Sequence, residues 1–131
     1  VDSFDKIKQY IDKVPLIAHD LIKSIDTPLT IIYPNAKKLA KNVIARDGTI
    51  AIRVVKDEFC QQVIKEFGKP VVSSSANVSG EPNPIIFSKI SDDILNSVDY
   101  VVNVYRDRVK ETKPSRIIKL EENGEFKVIR K

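Results

Sequence analysis

The sequence contains few of the residue types on which many functional sites depend. Its 131 residues include one cysteine, one histidine, four glycines and neither methionine nor tryptophan. Cys60 cannot form an internal disulfide, and its position in a helical apolar pattern indicates a buried structural thiol in a reducing compartment. His19 has no companion histidine or cysteine with which to bind a metal or activate a nucleophile. A disulfide scaffold is therefore excluded, and zinc or histidine catalysis is disfavoured.

Long apolar runs are also absent. No segment approaches the length of a membrane span, and the first residues, Val-Asp-Ser-Phe-Asp, have neither the basic nor the apolar region of a signal peptide. We therefore expect a cytoplasmic protein that makes no membrane contact. The lack of an initiator methionine favours a fragment of a longer protein.

The composition is that of a folded domain with a modest surplus of basic residues. Hydrophobic residues make up 42% of the chain, enough for one sizeable core, so we expect a single domain over residues 1–131. The net charge of +4 comes from signs that are mixed along the sequence. It is compatible with phosphate or RNA contact without implying either.

Hydrophobic periodicity predicts alternating helices and strands. Apolar residues at helical spacing predict helices over residues 4–14, 17–25, 57–67 and 90–98, with a short helix at best over 39–44. Extended apolar runs predict strands over 27–34, 49–55, 71–72 and 99–103, and residues 106–113 are predicted to form a solvated loop. The order indicates an α/β fold, an open twisted mixed sheet with helices on its faces.

Arg53 is the anomaly of the strand over residues 49–55. Ile50, Ile52 and Val54 face one way, whereas Arg53 shares the other face with Thr49. A strand between helices usually has two apolar faces, so this arginine either lies at an exposed strand end or is directed at an anionic ligand. The helix over residues 57–67 would connect this strand in parallel to Val71–Val72, placing Arg53 and Ser75 at neighbouring carboxyl ends.

The stretch from Pro70 to Pro84 is dense in small polar side chains. If the backbone stays extended, Ser73, Ser75 and Asn77 lie on one face, which would suit a ligand rich in oxyanions. The alternative is that serine and asparagine gather here because they favour turns.

The carboxyl-terminal residues predict a β-hairpin. Asn123-Gly124 favours a two-residue turn between the strands that contain Ile117 and Val128. Counting back from that turn sets Arg130 opposite Ile117 and beside Ser115, so we expect Ser115 and Arg130 to meet at a ligand. The alternative is that Arg130 ends the chain in solvent.

Five segments together carry a resemblance to a known family. They are Pro-Leu-Thr at 28–30, Thr-Ile-Ala-Ile-Arg-Val at 49–54, Ser-Ala-Asn-Val-Ser-Gly-Glu-Pro at 75–82, Pro-Ser-Arg-Ile-Ile at 114–118 and Val-Ile-Arg at 128–130. In order and spacing they resemble the YrdC-like family. Its members make threonylcarbamoyl-adenylate from ATP, L-threonine and bicarbonate, releasing pyrophosphate, for the tRNA modification threonylcarbamoyladenosine.

The resemblance implies a nucleotidyltransferase with Mg²⁺ entering on ATP and with no protein nucleophile, catalytic residue or metal ligand of its own. Its partners would include tRNA or double-stranded RNA and the proteins of the threonylcarbamoyl transfer step. By position, it implies ATP contacts for Thr49, Asn77 and Arg130, and threonine or carbamoyl contacts for Arg53, Ser75 and Ser115. From the predicted strand ends and hairpin base we expect five of them to line one cleft: Arg53, Ser75, Asn77, Ser115 and Arg130.

The sequence also departs from the family pattern. The family's amino-terminal strand–helix unit and the Lys-x-Arg region that holds the phosphates are not found in these 131 residues. We therefore expect a fold that is incomplete at the amino terminus, and a chain that alone binds ATP weakly and makes little product. The alternative function is a non-catalytic RNA-binding or regulatory module of the same fold, although no aromatic RNA motif or dense basic stripe supports it.

Overall fold

The computed structural model describes residues 1–109 and 114–131, so residues 110–113 of the predicted loop 106–113 lie outside the described chain. Four strands form one sheet in the order β2-β1-β3-β4. They are β1 (Leu29–Tyr33), β2 (Ile50–Arg53), β3 (Arg116–Leu120) and β4 (Phe126–Arg130). β1 pairs antiparallel with β2 and parallel with β3, and β3 pairs antiparallel with β4. The predicted mixed α/β sheet is confirmed.

Four α-helices accompany the sheet in the described residues. They are α1 (Phe4–Ile7), α2 (Ile17–Ser24), α3 (Glu58–Phe67) and α4 (Asp92–Ser97), with 3-10 turns at Lys41–Val43 and Phe87–Lys89. The predicted helix over residues 4–14 is too long. The helix ends at Ile7, and Ile11 forms an isolated antiparallel bridge with Ala36. Its helical spacing therefore reflects burial of Ile7 and Ile11 on one side of an irregular segment.

α3 lies where helical periodicity predicts a helix, within one residue at its start. The Asp57 carboxylate accepts a hydrogen bond from the Cys60 amide at 2.9 Å, which satisfies a free donor of the first turn. Gly68 ends the helix in the left-handed conformation with φ of +73°, where a side chain would be strained. The helix predicted over residues 57–67 is confirmed.

The core lies on one face of the sheet. Leu29, Ile31 and Tyr33 alternate along β1 and are all buried, together with Ile118 and Leu120 of β3. Residues of α1 and α2 pack against this face. Because side chains alternate across a strand, Thr30, Ala51, Arg53, Ile117 and Lys119 point to the opposite side. We call that side the open face.

Two predicted strands do not form. Residues 71–72 and 99–103 have no strand structure, and the side chain of Val72 is 77% exposed. The predicted parallel crossover from residues 49–55 to 71–72 is therefore wrong, and β1 and β3 form the parallel pair. Pro70 has no amide hydrogen, so it cannot donate to a neighbouring strand at the start of this run.

The hairpin pairs Arg130 with Ile117 as predicted, although its turn and its strand pairing differ from the predicted ones. The turn has three residues, 122–124, because the Glu121 amide donates to the Glu125 carbonyl at 2.9 Å. Gly124 adopts the left-handed conformation with φ of +85°. This loop shifts the pairing by one residue, so Ile118 faces Val128, and a β-bulge at Ile129 shifts it back. The expected two-residue turn is wrong, and the expected partner of Arg130 is right.

The chain divides into two compact units, residues 1–72 with 114–131 and residues 73–113. The first contains the whole sheet. In the second, the Arg106 guanidinium lies 4.3 Å from the centre of the Phe87 ring and donates to the carbonyls of Val101 and Val102 at 3.3 and 3.2 Å. The expected single domain over residues 1–131 stays a prediction. Among the described helices, none has the length and apolar character needed to cross a bilayer.

Candidate functional site

Four neighbouring positions form a row across the open face of the sheet. Arg53 of β2 pairs with Thr30 of β1, Thr30 pairs with Ile117 of β3, and Ile117 pairs with Arg130 of β4. Partners in register lie one strand spacing apart, so the row extends over about 14 Å, three steps of about 4.8 Å each. Its two ends are arginines. The row therefore carries one permanently charged side chain at each end.

Arg130 is tied to the residue that leads into β3. Its Nε and Nη2 atoms donate to the Ser115 carbonyl oxygen at 2.9 and 2.7 Å, and Nη2 also lies 3.3 Å from the Ser115 hydroxyl oxygen. The planar guanidinium makes such forked contacts where a lysine could not. Ser115 and Arg130 thus meet as expected, and Arg130 does not simply end the chain in solvent.

Ser115 also contacts the centre of the row. Its hydroxyl oxygen lies 2.9 Å from the Thr30 hydroxyl oxygen, and this hydrogen bond is partly buried. Backbone pairing supports it, since the Arg116 amide donates to the Pro28 carbonyl at 2.9 Å. One hydroxyl–guanidinium network therefore joins Thr30, Ser115 and Arg130, with Arg53 as the cross-strand neighbour of Thr30.

A second cluster lies at the start of β2. The Asp47 carboxylate accepts hydrogen bonds from the Thr49 hydroxyl at 2.7 Å and the Thr49 amide at 3.1 Å. The Lys119 ammonium lies 3.8 Å from the same carboxylate. These two hydrogen bonds, and to a smaller degree the attraction of Lys119, hold the pKa of Asp47 below its usual range. The Thr49 hydroxyl is thus a donor that is already engaged by Asp47.

Ser75 and Asn77 belong to the second unit. Residues 73–75 are irregular and residues 76 and 77 form a bend, so the expected extended face of Ser73, Ser75 and Asn77 does not exist. The Asn77 amide nitrogen donates to the carbonyls of Val78 and Glu81 at 3.1 and 2.9 Å. This supports the turn-forming interpretation of the stretch for Asn77.

The structure therefore groups three of the six predicted site residues: Arg53, Ser115 and Arg130. Thr49 lies on the same strand face as Arg53, at the other end of β2. Ser75 and Asn77 remain predicted site residues, and the expected shared cleft stays a prediction. Among the residues that the structure describes, no three acidic, histidine or cysteine side chains are arranged to hold a metal ion.

Thr30 and Asp47 are not among the site residues predicted from the sequence. Thr30 lies on the side of β1 opposite to Leu29 and Ile31, which are buried. That alternation could have placed Thr30 on the open face. Asp47 and Gly48 together predict a turn. The turn alone gave no reason to expect that the Asp47 carboxylate accepts hydrogen bonds from Thr49.

The sequence of the chain matches one protein family over its whole length. Residues 1–131 match the model of the Sua5/YciO/YrdC family, which is described as telomere recombination. The chain is 30% identical over 105 residues to the threonylcarbamoyl-AMP synthase of Pseudoalteromonas translucida, covering 78% of this chain and 56% of that protein. It is 32% identical over 120 residues to the putative threonylcarbamoyl-AMP synthase of Methanocaldococcus jannaschii, covering 91% and 54%.

A solved structure of a variant of P. abyssi Sua5 shares the fold. It superimposes with a TM-score of 0.73 at 24% identity, covering 91% of this chain and 36% of that one. The chain spans about half the length of the two synthases named above, 56% and 54%.

Proposed function

This chain belongs to the Sua5/YciO/YrdC family, and we propose that it forms part of a threonylcarbamoyl-AMP synthase. In the reaction, the threonine amine and bicarbonate form a carbamate with loss of water, and the carbamate reacts with ATP to give threonylcarbamoyl-AMP and pyrophosphate. Relatives that carry this name support the activity. The substrates are those of the family that the sequence resembles.

The observation that carries the proposal is a group of polar side chains on the open face: Arg53, Thr30 and Arg130 of the row, with Ser115, which contacts Thr30 and Arg130. A carbamate oxygen attacks the α-phosphorus of ATP, a new P–O bond forms, and the bond to the pyrophosphate oxygen breaks. Negative charge is spread over phosphoryl oxygens, so positioning and cationic donors supply the catalysis and no protein nucleophile is needed.

Three residues of this group have roles that fit their chemistry. Arg53 is exposed and offers a guanidinium fork to the carboxylate of threonine. Ser115 donates its hydroxyl to the carboxylate or to the carbamoyl oxygen. Arg130 holds Ser115 with one edge and adds positive charge near the nucleotide. Thr49 and Asn77 are proposed ATP contacts and Ser75 a proposed threonine contact, all three by their positions in the family motifs.

We propose that Mg²⁺ enters with ATP and is held by its phosphate oxygens, as is common for this ion. The described residues offer no acidic cage that would bind it without the nucleotide. When bound, the ion neutralises phosphate charge. The residues of the chain bind and orient the threonine end.

The wider setting is proposed on the same basis. The product would pass to the proteins of the threonylcarbamoyl transfer step and then to tRNA, in the cytoplasm. The alternative is an RNA-binding or regulatory module. The net charge of +4 is compatible with tRNA or double-stranded RNA as the ligand of such a module.

The first experiment measures L-threonine binding to the 131-residue chain by NMR titration of backbone amides. We expect saturable shifts that include Thr30 and Ser115, and we expect Arg53→Gln to weaken the affinity about tenfold or more, as for loss of a charged hydrogen bond. Arg46→Gln, in the exposed loop before β2, is the matched control and should leave the affinity unchanged. Equal effects of the two variants would contradict the assignment of Arg53.

The second experiment measures pyrophosphate release with ATP, Mg²⁺, L-threonine and bicarbonate. We compare the chain alone with the chain joined to the amino-terminal segment of a family member. We expect weak release from the chain alone and strong release from the joined protein. Full activity of the chain alone would contradict the fragment hypothesis. No release from either, together with binding of labelled RNA, would favour the alternative function.

A further inference from the structure

The contact between Thr30 and Ser115 joins two hydroxyl groups on neighbouring strands of the proposed threonine site. Their oxygens are 2.9 Å apart, and the pair is partly buried although the residues are 85 positions apart in sequence. Each hydroxyl has one hydrogen to donate and can accept two hydrogen bonds. Either oxygen can therefore be the donor in this pair, and the other partners of Ser115 decide which arrangement suits a bound ligand.

Arg130 restricts that choice. Its Nη2 atom donates towards the Ser115 hydroxyl oxygen at 3.3 Å, so one acceptor position of this oxygen is occupied by a permanent donor. Nε and Nη2 also donate to the Ser115 carbonyl, which fixes the backbone of this residue. If Ser115 is to donate its single hydrogen to a ligand, the hydrogen in the Thr30–Ser115 bond must come from Thr30.

We propose that Thr30 is a positioning residue for Ser115, an inference that rests on the proposed function. When an oxygen of the amino-acid carboxylate or of the carbamoyl group binds, Thr30 donates to the Ser115 oxygen and Arg130 donates to the same oxygen. The Ser115 hydrogen then points to the ligand. Thr30 acts through Ser115 and does not touch the ligand itself.

The two hydrogen bonds to the Ser115 hydroxyl oxygen indicate a role for Thr30 other than packing. A guanidinium donor and a hydroxyl donor on one oxygen polarise its O–H group, which strengthens the hydrogen bond that it donates in turn. Thr30 is also held in place by pairing on both sides, with Arg53 across β2 and Ile117 across β3. Its β-branched side chain has few rotamers, so the direction of its hydroxyl is well defined.

The test compares variants that separate the hydroxyl of Thr30 from its shape. Thr30→Val removes the hydroxyl and keeps the side-chain volume. Thr30→Ala removes both the hydroxyl and the methyl group, and Thr30→Ser keeps the hydroxyl and removes the methyl group. We expect Val and Ala to weaken the binding of L-threonine about three- to tenfold, the range for one hydrogen bond, and Ser to stay within about twofold of the parent. Thr27→Val, an exposed threonine ahead of β1, is the matched control.

Two further measurements separate positioning from a structural role. ATP affinity should be unchanged by Thr30→Val, since a general loosening of the sheet would lower both affinities. In a Ser115→Ala background, Thr30→Val should cause no further loss of threonine affinity, because the two residues act in series. An equal loss in both backgrounds, or unchanged threonine binding in Thr30→Val, would overturn the inference alone. Failure of the parent chain to bind L-threonine would overturn the proposed function and this inference with it.

Discussion

The Arg130 guanidinium donates two hydrogen bonds to the Ser115 carbonyl, at 2.9 and 2.7 Å, and so closes the open end of the hairpin. Ser115 enters the hairpin and Arg130 is the last residue of β4, so the contact joins the two ends that lie furthest from the turn. It fixes the backbone next to Thr30, and the stability of the hairpin and the shape of the proposed site depend on the same side chain.

The first prediction concerns the fork of Arg130. Arg130→Lys keeps the charge but cannot donate from two nitrogens in one plane, so we expect the free energy of unfolding to fall by about 1 kcal/mol. Urea denaturation measures it. Arg46→Lys, an exposed arginine outside the hairpin, is the control and should change stability by less than about 0.5 kcal/mol. Equal losses in the two variants would show that the fork contributes nothing.

The second prediction concerns Gly124, whose φ is +85°. A Cβ added there would meet nothing within 4 Å, so any cost of substitution comes from the backbone. We expect Gly124→Val to lower the free energy of unfolding by about 1–2 kcal/mol, and Gly124→Asn to cost less because asparagine tolerates the left-handed region. Chemical denaturation of both variants tests this, and an asparagine cost as large as the valine cost would refute it.

The third prediction concerns the pKa of Asp47, which the hydrogen bond from the Thr49 hydroxyl lowers most. Thr49→Val should raise this pKa towards its usual value, and Lys119→Gln should raise it less, since attraction by Lys119 is a smaller cause. A carboxyl ¹³C NMR titration measures both. A larger rise in Lys119→Gln would reverse the proposed order of causes.

The sign of the linked stability follows from the lowered pKa. Because the folded protein binds the proton of Asp47 less readily than the unfolded chain, the Thr49 contact stabilises the fold fully above the unfolded-state pKa. That contribution is lost as the pH falls through the folded-state pKa. Thr49→Val should therefore reduce the stability difference between neutral and acidic pH.

The fourth prediction concerns the second unit. Asn77→Asp replaces an amide donor with a carboxylate, which has no hydrogen to give the carbonyls of Val78 and Glu81. The Glu81 amide, which donates to the Val78 carbonyl at 3.0 Å, should exchange its hydrogen about tenfold faster. Asn83→Asp, at an exposed position in the same loop region, should leave this rate unchanged. Unchanged exchange in Asn77→Asp would contradict the turn-forming role of Asn77.

Local patterns predicted the elements of the sheet unit better than their pairing. Alternation set the two faces of β2, and helical periodicity set the bounds of α3 to within one residue. Pairing of β1 with β3 brings Thr30 next to Ser115, 85 residues away, and periodicity contains no information about such a partner. The sequence alone therefore placed Thr49 and Arg53 on one face of β2 but missed Thr30 and its hydroxyl contact with Ser115.

The two predicted strands that do not form, residues 71–72 and 99–103, show a second limit of prediction from local sequence. Val71, Val72 and the apolar residues of 99–103 have β propensity, yet propensity becomes structure only where a neighbour supplies hydrogen bonds. The pairing of Arg130 with Ile117 was predicted through two errors of opposite sign, a turn one residue too short and a bulge that was not foreseen. The correct contact thus came from counting residues, without the correct backbone.

The bulge at Ile129 decides on which side of the sheet Arg130 lies. Without it, the pairing of Ile118 with Val128 would continue with Ile129 opposite Ile117, and Arg130 would face Arg116 on the core side. A single extra residue in β4 therefore brings this arginine to the open face. Among related hairpins that lack the bulge, an arginine that keeps the contact should lie one position earlier in the sequence.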